Sequence, residues 1–233
     1  MSELMWSLDG RTYRYDEEVP IGCDDCNGCS KCCHAMGDSI ILDPYDIWNL
    51  TRHVQIAGGG KVDFALLVSE DGPLEISMQR GLLLPNIKMV DEGVCPFLNE
   101  RGRCSIHRYR TGLCRLYPLA RSFDTADEES GTLSYFILNE VLGCPAENKS
   151  MVRIEDWLEI PDLPSYEAFQ LRWHTLKKRM EDYCESVLSG IADSMEVLGR
   201  RQTAFLRLFY EMPYEEDFYR DFDVRCEKWI NQN

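Results

Sequence analysis

The sequence predicts an α+β fold: a small mixed cysteine-rich part with short strands and helices, followed by an amphipathic helical C-terminal part. Nine of the eleven cysteines precede residue 150. Short apolar segments bounded by turn residues alternate there with brief helical patterns, whereas from residue 163 apolar residues recur every three or four positions. We therefore expect one domain over residues 1–160 and a helical extension over residues 161–233 that packs on it.

Composition and charge exclude several classes of protein. The 233 residues carry 25 basic and 40 acidic side chains, a net charge of −15. Such an excess repels phosphate backbones and anionic lipids, so we expect no nucleic-acid or membrane partner. No apolar run approaches the ~20 residues that span a bilayer. The N-terminal segment also lacks the basic and apolar stretches of a secretory signal, which predicts a cytosolic protein.

Turn and cap residues predict the first elements. Trp6–Tyr15 is predicted to form a hairpin around Asp9–Gly10, a pair that accepts the positive φ angles of a tight turn. Cys23–Gly37 is predicted to be a loop, because it is punctuated by glycine and has no apolar period. A helix is expected to begin at Asp43–Pro44, where an acidic N-cap precedes proline, and to end at Gly58–Gly60.

The following segments are predicted to be mostly strands. A second short helical stretch is expected within residues 61–92. The further predictions are strands at Ile87–Val90, Cys95–Leu98, Arg103–Ile106 and Thr132–Val141, a turn at Asn99–Gly102, and a surface loop at Asp124–Gly131.

Three amphipathic helices are predicted in the C-terminal part, because apolar side chains step by three or four. The first stripe is Tyr166, Phe169, Trp173, Leu176, Met180, Tyr183 and Val187; the second is Ile191, Met195, Leu198, Phe205 and Phe209; the third is Phe218, Phe222, Cys226 and Trp229. These aromatic helices are interpreted as core, and a docking face for a protein partner is the alternative hypothesis.

The cysteine pattern is the main functional signal. In a cytosolic protein, clustered cysteines more often bind metal than form disulfides. Two-residue spacing lets successive thiolates meet one metal ion at ~2.3 Å. The candidate ligands are Cys23, Cys26, Cys29, Cys32, Cys33, Cys95, Cys104, Cys114 and Cys144. They suit two four-thiolate sites with one cysteine to spare, while Cys184 and Cys226 lie on apolar stripes and are expected to be buried free thiols.

The spacing also bears on the identity of the metal. Cys32 and Cys33 are adjacent, and neighbouring side chains tend to diverge, so we expect them to point toward different metals or different irons of one cluster. The series Cys23, Cys26, Cys29 and Cys33 has the spacing of the [4Fe–4S] ligands of bacterial ferredoxins. This match is partial, because histidine follows where the ferredoxin run has proline. Iron–sulfur is slightly preferred over zinc.

Arginines surround the later cysteines. Between residues 101 and 121 there are six arginines and no acidic residue, which leaves 19 basic against 40 acidic residues elsewhere. Arginine offsets thiolate charge and donates to sulfur, and Arg110 and Arg115 are the candidates for contact with the bound cofactor. An anion-binding patch for a substrate and a solvated basic face are the alternatives. His34 and His107 are weaker candidate ligands.

Three stretches together resemble the YkgJ-type cysteine-cluster family: CNGCSKCC, the run from Cys95 to Arg121, and Cys144–Pro145. The resemblance implies a CxxCxxCC domain over residues 23–150 that chelates zinc or iron. It maps the family's eight recurring cysteines onto all the candidates except Cys23, which is an addition. The family usually has Arg-Pro before its third downstream cysteine, whereas this chain has Arg110–Thr111.

Three functions stay open. The leading hypothesis is a cytosolic metal-binding protein whose centre has a structural or redox role. A related branch of the family includes flagellin lysine N-methylases, so an S-adenosylmethionine-dependent lysine N-methyltransferase is implied as an alternative, although the chain has no separate methyl-donor motif. A metal storage or delivery protein is the third hypothesis. The sequence does not decide whether the chain is an enzyme.

Overall fold

The structure, a computed structural model, describes residues 6–23, 30–54, 62–124, 131–139 and 149–232. It confirms the predicted α+β class. The strands form three antiparallel pairs: β1 (Glu18–Gly22) with β6 (Ser150–Arg153), β2 (Leu74–Gln79) with β3 (Leu82–Ile87), and β4 (Leu119–Asp124) with β5 (Thr132–Ile137). The helices are α1 (Pro44–His53), α2 (Phe64–Leu67), α3 (Gly112–Leu116), α4 (Ile154–Leu158), α5 (Leu163–Leu188), α6 (Met195–Leu206) and α7 (Phe218–Gln232).

The predicted start of α1 is confirmed, and its cause is local. The Asp43 side chain accepts from the Asp46 amide at 2.9 Å, and the Asp46 side chain accepts from the Asp43 amide at 3.2 Å. This reciprocal capping box satisfies amides that a helix start leaves unpaired. The helix ends at His53, earlier than the predicted glycines, which lie outside the described residues.

The predicted N-terminal hairpin is wrong. Ser7 forms a bridge to Leu138 and Tyr13 forms a bridge to Tyr135, so both arms of the segment lie along β5 instead of along each other. The Tyr13 amide donates to the Tyr135 carbonyl at 2.7 Å, and the reverse bond measures 2.8 Å. An isolated two-stranded hairpin is marginal in water, whereas addition to an existing pair also buries Tyr13.

The middle strands are only partly as predicted. The strand predicted at Ile87–Val90 lies earlier in the chain, since β3 ends at Ile87. A turn at Arg80 and Gly81, both at positive φ, joins β2 to β3. Cys95–Leu98 and Arg103–Ile106 meet in a single bridge, Leu98 to Cys104, so the two predicted strands are absent from this described part of the chain, although the turn at Asn99–Gly102 is confirmed. The last predicted strand begins at Thr132 as expected and ends at Ile137. Residues 125–130 and 140–148, which hold the predicted surface loop and the end of that strand, lie outside the described residues.

The C-terminal helices carry most of the aromatic core. The Trp173 ring on α5 lies 5.6 Å from the Phe205 and Phe209 rings, and Phe169 meets Phe222 edge to face at 4.7 Å. The first and third predicted stripes are confirmed as helices. The second is partly wrong, since Ile191 and Met195 are 82% and 62% exposed and burial begins at Leu198. Cys184 and Cys226 are buried and free, as predicted. Across the described ranges, no helix combines the length and the apolar character needed to cross a membrane.

Polar bonds join the C-terminal helices to the cysteine-bearing part. Gln170 on α5 donates to the Asp43 carboxylate at 2.6 Å. The Tyr210 hydroxyl donates to the Leu42 carbonyl at 3.0 Å, and the Trp48 indole donates to the Glu215 carbonyl at 3.1 Å. These contacts fix α1 against the helices that follow. The division between residues 160 and 161 stays a prediction.

Replacing Arg225 by alanine is expected to destabilise the protein. The buried Arg225 guanidinium on α7 donates to the carbonyls of Leu208, Met212 and Pro213 at 2.7 to 2.8 Å. Its removal leaves buried carbonyls without partners, which costs about 2–4 kcal/mol of the free energy of unfolding. Chemical denaturation measures this. The exposed Arg220 on the same helix is the matched control, and equal effects of R225A and R220A contradict the assignment.

Candidate metal centre

A backbone pairing brings the first two groups of candidate ligands together. The Cys95 amide donates to the Cys33 carbonyl at 2.8 Å, and the Ala35 amide donates to the Gly93 carbonyl at 2.7 Å. Gly93 sits at φ +80°, a conformation that glycine adopts without strain. Through this pairing, two segments that are distant in sequence place their cysteines side by side.

The turn after Cys95 places Cys104. The Asn99 side chain accepts from the Arg101 and Arg103 amides, each at 3.0 Å, and so closes the turn. The Ser105 amide then donates to the Phe97 carbonyl at 2.7 Å, and Leu98 forms a bridge to Cys104. Cys104 therefore returns to the side of the chain where Cys95 lies.

Helix α3 carries Cys114, and Asp46 of α1 anchors its first residue. The Asp46 carboxylate, only 3% exposed, accepts from the Gly112 amide at 2.7 Å. A Cβ at residue 112 would lie 2.7 Å from the Tyr166 hydroxyl oxygen, so any larger residue would displace Tyr166 from its bond with Arg121. One aspartate thus caps α1 and also anchors the first residue of the cysteine-bearing helix.

Six of the nine candidate cysteines line one cavity of about 410 Å³: Cys23, Cys32, Cys33, Cys95, Cys104 and Cys114. Apolar side chains, among them Ile40, Phe97 and Trp157, form part of the same wall. The other three candidates, Cys26, Cys29 and Cys144, lie outside the described residues. Sequence positions from four separate segments therefore converge on one place.

Hydrogen bonds of the Cys33 thiol connect three of these cysteines. The Cys33 thiol hydrogen-bonds with both Cys32 and Cys95, which lowers the pKa of each of these two to about 7 and raises the pKa of Cys33. Thiolates at Cys32 and Cys95 are thus accessible at neutral pH. The expectation that the adjacent side chains of Cys32 and Cys33 diverge is wrong, because the short 3-10 turn Lys31–Cys33 leaves their sulfurs in contact.

Burial has the opposite effect on the two deeper thiols. It raises the pKa of Cys104 and raises the pKa of Cys114 to about 12. In low-dielectric surroundings the neutral thiol is favoured over the thiolate. A bound metal cation reverses that preference, since it replaces the proton on sulfur.

The two arginines predicted to contact a cofactor have different surroundings. Arg110 lines the cavity, its side chain is 11% exposed, and its charge favours the thiolate forms of Cys32 and Cys104. Arg115 is buried and donates to the carbonyls of Leu158 and Arg108 at 2.9 and 2.8 Å, which braces α4 against the turn before α3. Cofactor contact by either arginine stays a prediction.

The histidines and the far wall complete the cavity. His107 lines it and lies 2.7–2.9 Å from Arg110, whereas the His34 ring nitrogen lies 3.4 Å from the Ser30 hydroxyl. Sequence reasoning missed Trp157 and Glu159, which line the cavity from α4 and its end. It also missed the anchoring role of Asp46, for which the spacing of Asp43 and Asp46 in a capping box was the available signal.

The described residues alone do not complete a metal site. Among them, no group of three histidine, cysteine, aspartate or glutamate side chains is arranged to hold an ion. The chemistry of the donor set nevertheless fits a thiophilic metal, because six sulfurs line the cavity and two of them ionise near neutral pH.

One protein-family model matches the cysteine-bearing region. Residues 25–132 match the model of the family described as "CxxCxxCC: Putative zinc- or iron-chelating domain". This confirms the resemblance and supports metal binding in general. The match includes every candidate cysteine except Cys23 and Cys144. No curated protein and no solved structure matches the chain.

Replacing Asp46 by alanine is expected to destabilise the protein more than loss of an ordinary helix cap. The variant removes the acceptor for two amides, Asp43 and Gly112, and the unfolding free energy falls by about 2–3 kcal/mol. Asp63→Ala is the matched control, because Asp63 is an exposed cap of α2 that accepts one amide at 2.9 Å and is worth about 1 kcal/mol. Denaturant titration of both variants decides, and a smaller loss for D46A than for D63A argues against the anchoring role.

Proposed function

Because residues 25–132 carry a domain described as zinc- or iron-chelating, we propose that this protein holds an iron–sulfur cluster through its clustered cysteines, with a structural or redox role. One observation carries the proposal: the Cys33 thiol hydrogen-bonds with both Cys32 and Cys95 within a cavity lined by three more cysteines. We assign the remaining donors to Cys26, Cys29 and Cys144.

The contact between the three thiols favours metal binding over a packing role. A cysteine that serves only as core packing is a small apolar side chain with an unshifted or raised pKa. Cys184 and Cys226 fit that description, since burial raises the pKa of both. The pKa values of Cys32 and Cys95 move the other way, to about 7. Sulfur that ionises at neutral pH is ready to exchange its proton for a metal.

The adjacent pair favours a cluster over a single zinc ion. Cys32 and Cys33 direct their sulfurs to the same place, so both are offered to one centre. A cluster offers a separate iron to each neighbouring sulfur, whereas a single zinc ion would have to bind both sulfurs itself. The six cysteines at the cavity exceed the four that either one zinc ion or one cluster takes.

The surrounding residues have definable tasks at such a centre. The apolar side chains of Ile40, Phe97 and Trp157 limit the contact of water with the sulfurs. This protects metal–thiolate bonds and strengthens the electrostatic interactions within the cavity. Arg110 places a positive charge beside Cys32 and Cys104. A bound cluster would supply one-electron transfer or a rigid crosslink between the segments.

A cytoplasmic setting belongs to the same proposal. Seven described cysteines are free thiols: Cys32, Cys33, Cys95, Cys104, Cys114, Cys184 and Cys226. Reducing compartments maintain cysteines in this form, whereas secreted proteins of similar cysteine content are usually crosslinked.

Metal analysis of protein purified without oxygen tests the proposal directly. We expect iron and acid-labile sulfide in near-stoichiometric amounts, with visible absorption that bleaches on reduction by dithionite. Removal of the metal by a chelator should lower the melting temperature, because a ligand bound only to the folded state stabilises it. A colourless protein with stoichiometric zinc defeats the iron–sulfur assignment but not metal binding, and a metal-free protein defeats both.

Replacing Cys95 by serine is expected to abolish or strongly reduce metal content. Serine removes the sulfur that contacts Cys33 while it keeps the size of the side chain. Cys226→Ser is the matched control, because Cys226 is also buried and free but lies in the helical core. Metal per chain, measured by elemental analysis of folded protein, should be unchanged in C226S. Equal metal content in C95S and wild type contradicts the ligand assignment.

A further inference from the structure

The Thr111 side chain is a buried polar group with an unusual position. Thr111 is 1% exposed, and among the described residues its hydroxyl makes no hydrogen bond to a nitrogen or oxygen atom and contacts the Cys114 sulfur. A buried hydroxyl without a partner costs free energy, and such groups are rare in folded proteins. Thr111 is also one of the residues that line the cysteine cavity.

Local geometry sets the hydroxyl beside one sulfur. Thr111 is the N-cap residue of α3, and its carbonyl accepts from the Arg115 amide at 2.8 Å. Its side chain makes no capping hydrogen bond, so the hydroxyl is not used to satisfy the helix start. The Cys114 sulfur, one helical turn further on, is its neighbour.

We propose that the Thr111 hydroxyl donates a hydrogen bond to the Cys114 sulfur when that sulfur binds metal as a thiolate, and that it thereby strengthens metal binding at this ligand. The inference rests on the proposed function, because it needs Cys114 to be a ligand. It assigns Thr111 as a positioning residue of the centre and not as a ligand.

The acceptor strength of sulfur explains why the bond depends on metal. A neutral thiol is a weak acceptor, so the hydroxyl gains little from it in the metal-free protein. A metal-bound thiolate carries negative charge, and hydrogen bonds to charged acceptors are roughly twice as strong as neutral ones. The contact with Cys114 is therefore weak while that thiol is protonated and stronger when it binds metal as a thiolate, which couples the desolvation cost of the hydroxyl to metal loading.

The experiment compares Thr111→Val with Thr111→Ser in the full-length protein, purified without oxygen and with its resident metal. Valine keeps the shape of threonine and loses the hydroxyl, whereas serine keeps the hydroxyl and loses the methyl group. T111V should release its metal at a chelator concentration about 10- to 150-fold lower than wild type, the range expected for one lost hydrogen bond to a charged group. T111S should stay close to wild type.

A second measurement separates this role from packing. In the metal-free protein, T111V should melt at the same or a higher temperature than wild type, because valine removes a buried hydroxyl that has only a weak thiol partner. T111S should melt lower, because it loses a buried methyl group. Weaker metal retention together with undiminished metal-free stability in T111V supports the inference.

The remaining outcomes overturn it. If wild type holds metal and T111V retains it equally well, the inference fails while the proposed function stands. If T111S loses metal more readily than T111V, the side chain acts through packing and the inference fails as well. If wild type holds no metal, both the proposed function and the inference fail.

Discussion

The crowding of sulfur at Cys32, Cys33 and Cys95 is the constraint on which the remaining structure depends. A backbone hydrogen bond from Cys95 to Cys33 forces thiols from distant segments into contact. Two thiolates at such a separation repel each other, and only a shared proton or a bound cation relieves that repulsion. Without metal, a shared proton relieves this repulsion. The pKa of Cys33 is raised, so it keeps its proton, and the pKa values of Cys32 and Cys95 are lowered, so they ionise more easily. A metal ion would perform the same task for all the sulfurs at once.

The buried carboxylates of Asp43 and Asp46 transmit the rigidity of the helical core to this centre. Burial raises the pKa of both, and their mutual repulsion adds to the rise at Asp46. The cost of burying these two carboxylates is offset by backbone amide donors and by Gln170 on α5, whose side-chain nitrogen donates to Asp43. The side-chain oxygen of Gln170 in turn accepts from Arg121 at 2.8 Å. Because Asp46 also holds the Gly112 amide, α5, α1 and the cysteine-bearing α3 form one hydrogen-bonded series. Loops that would bind metal imprecisely on their own are thereby braced by a long helix.

The sequence predicted the features that depend on neighbours along the chain. The start of α1 follows from Asp43 and Pro44, and α5 and α7 follow from apolar periodicity, as all three depend on residues within a few turns. The pairing of β1 with β6 and the addition of the N-terminal segment to β5 join residues far apart, for which periodicity holds no information. At the centre, the spacing predicted which cysteines belong together. It did not predict that Cys32 and Cys33 converge, since that depends on the left-handed conformation of Ser30 and the tight turn after it. The sequence distinguished Thr111 only as a departure from the family's Arg-Pro pattern, because its burial and its contact with Cys114 depend on the folded structure.

Charge by itself does not distinguish the two metals, so the choice depends on geometry. Four thiolates around Zn²⁺ and four around a [4Fe–4S]²⁺ core each leave a formal charge of about −2. The Glu159 carboxylate lies 3.7 Å from Arg110 and 3.8 Å from Arg115 and partly neutralises both arginines. Arg110 still favours the thiolate forms of Cys32 and Cys104, and it does so whichever metal the thiolates bind. The two kinds of centre differ in how they can accommodate the contact between the adjacent sulfurs of Cys32 and Cys33. Under the proposed function, each of these sulfurs binds its own iron of one cluster, which a single tetrahedral ion does not offer.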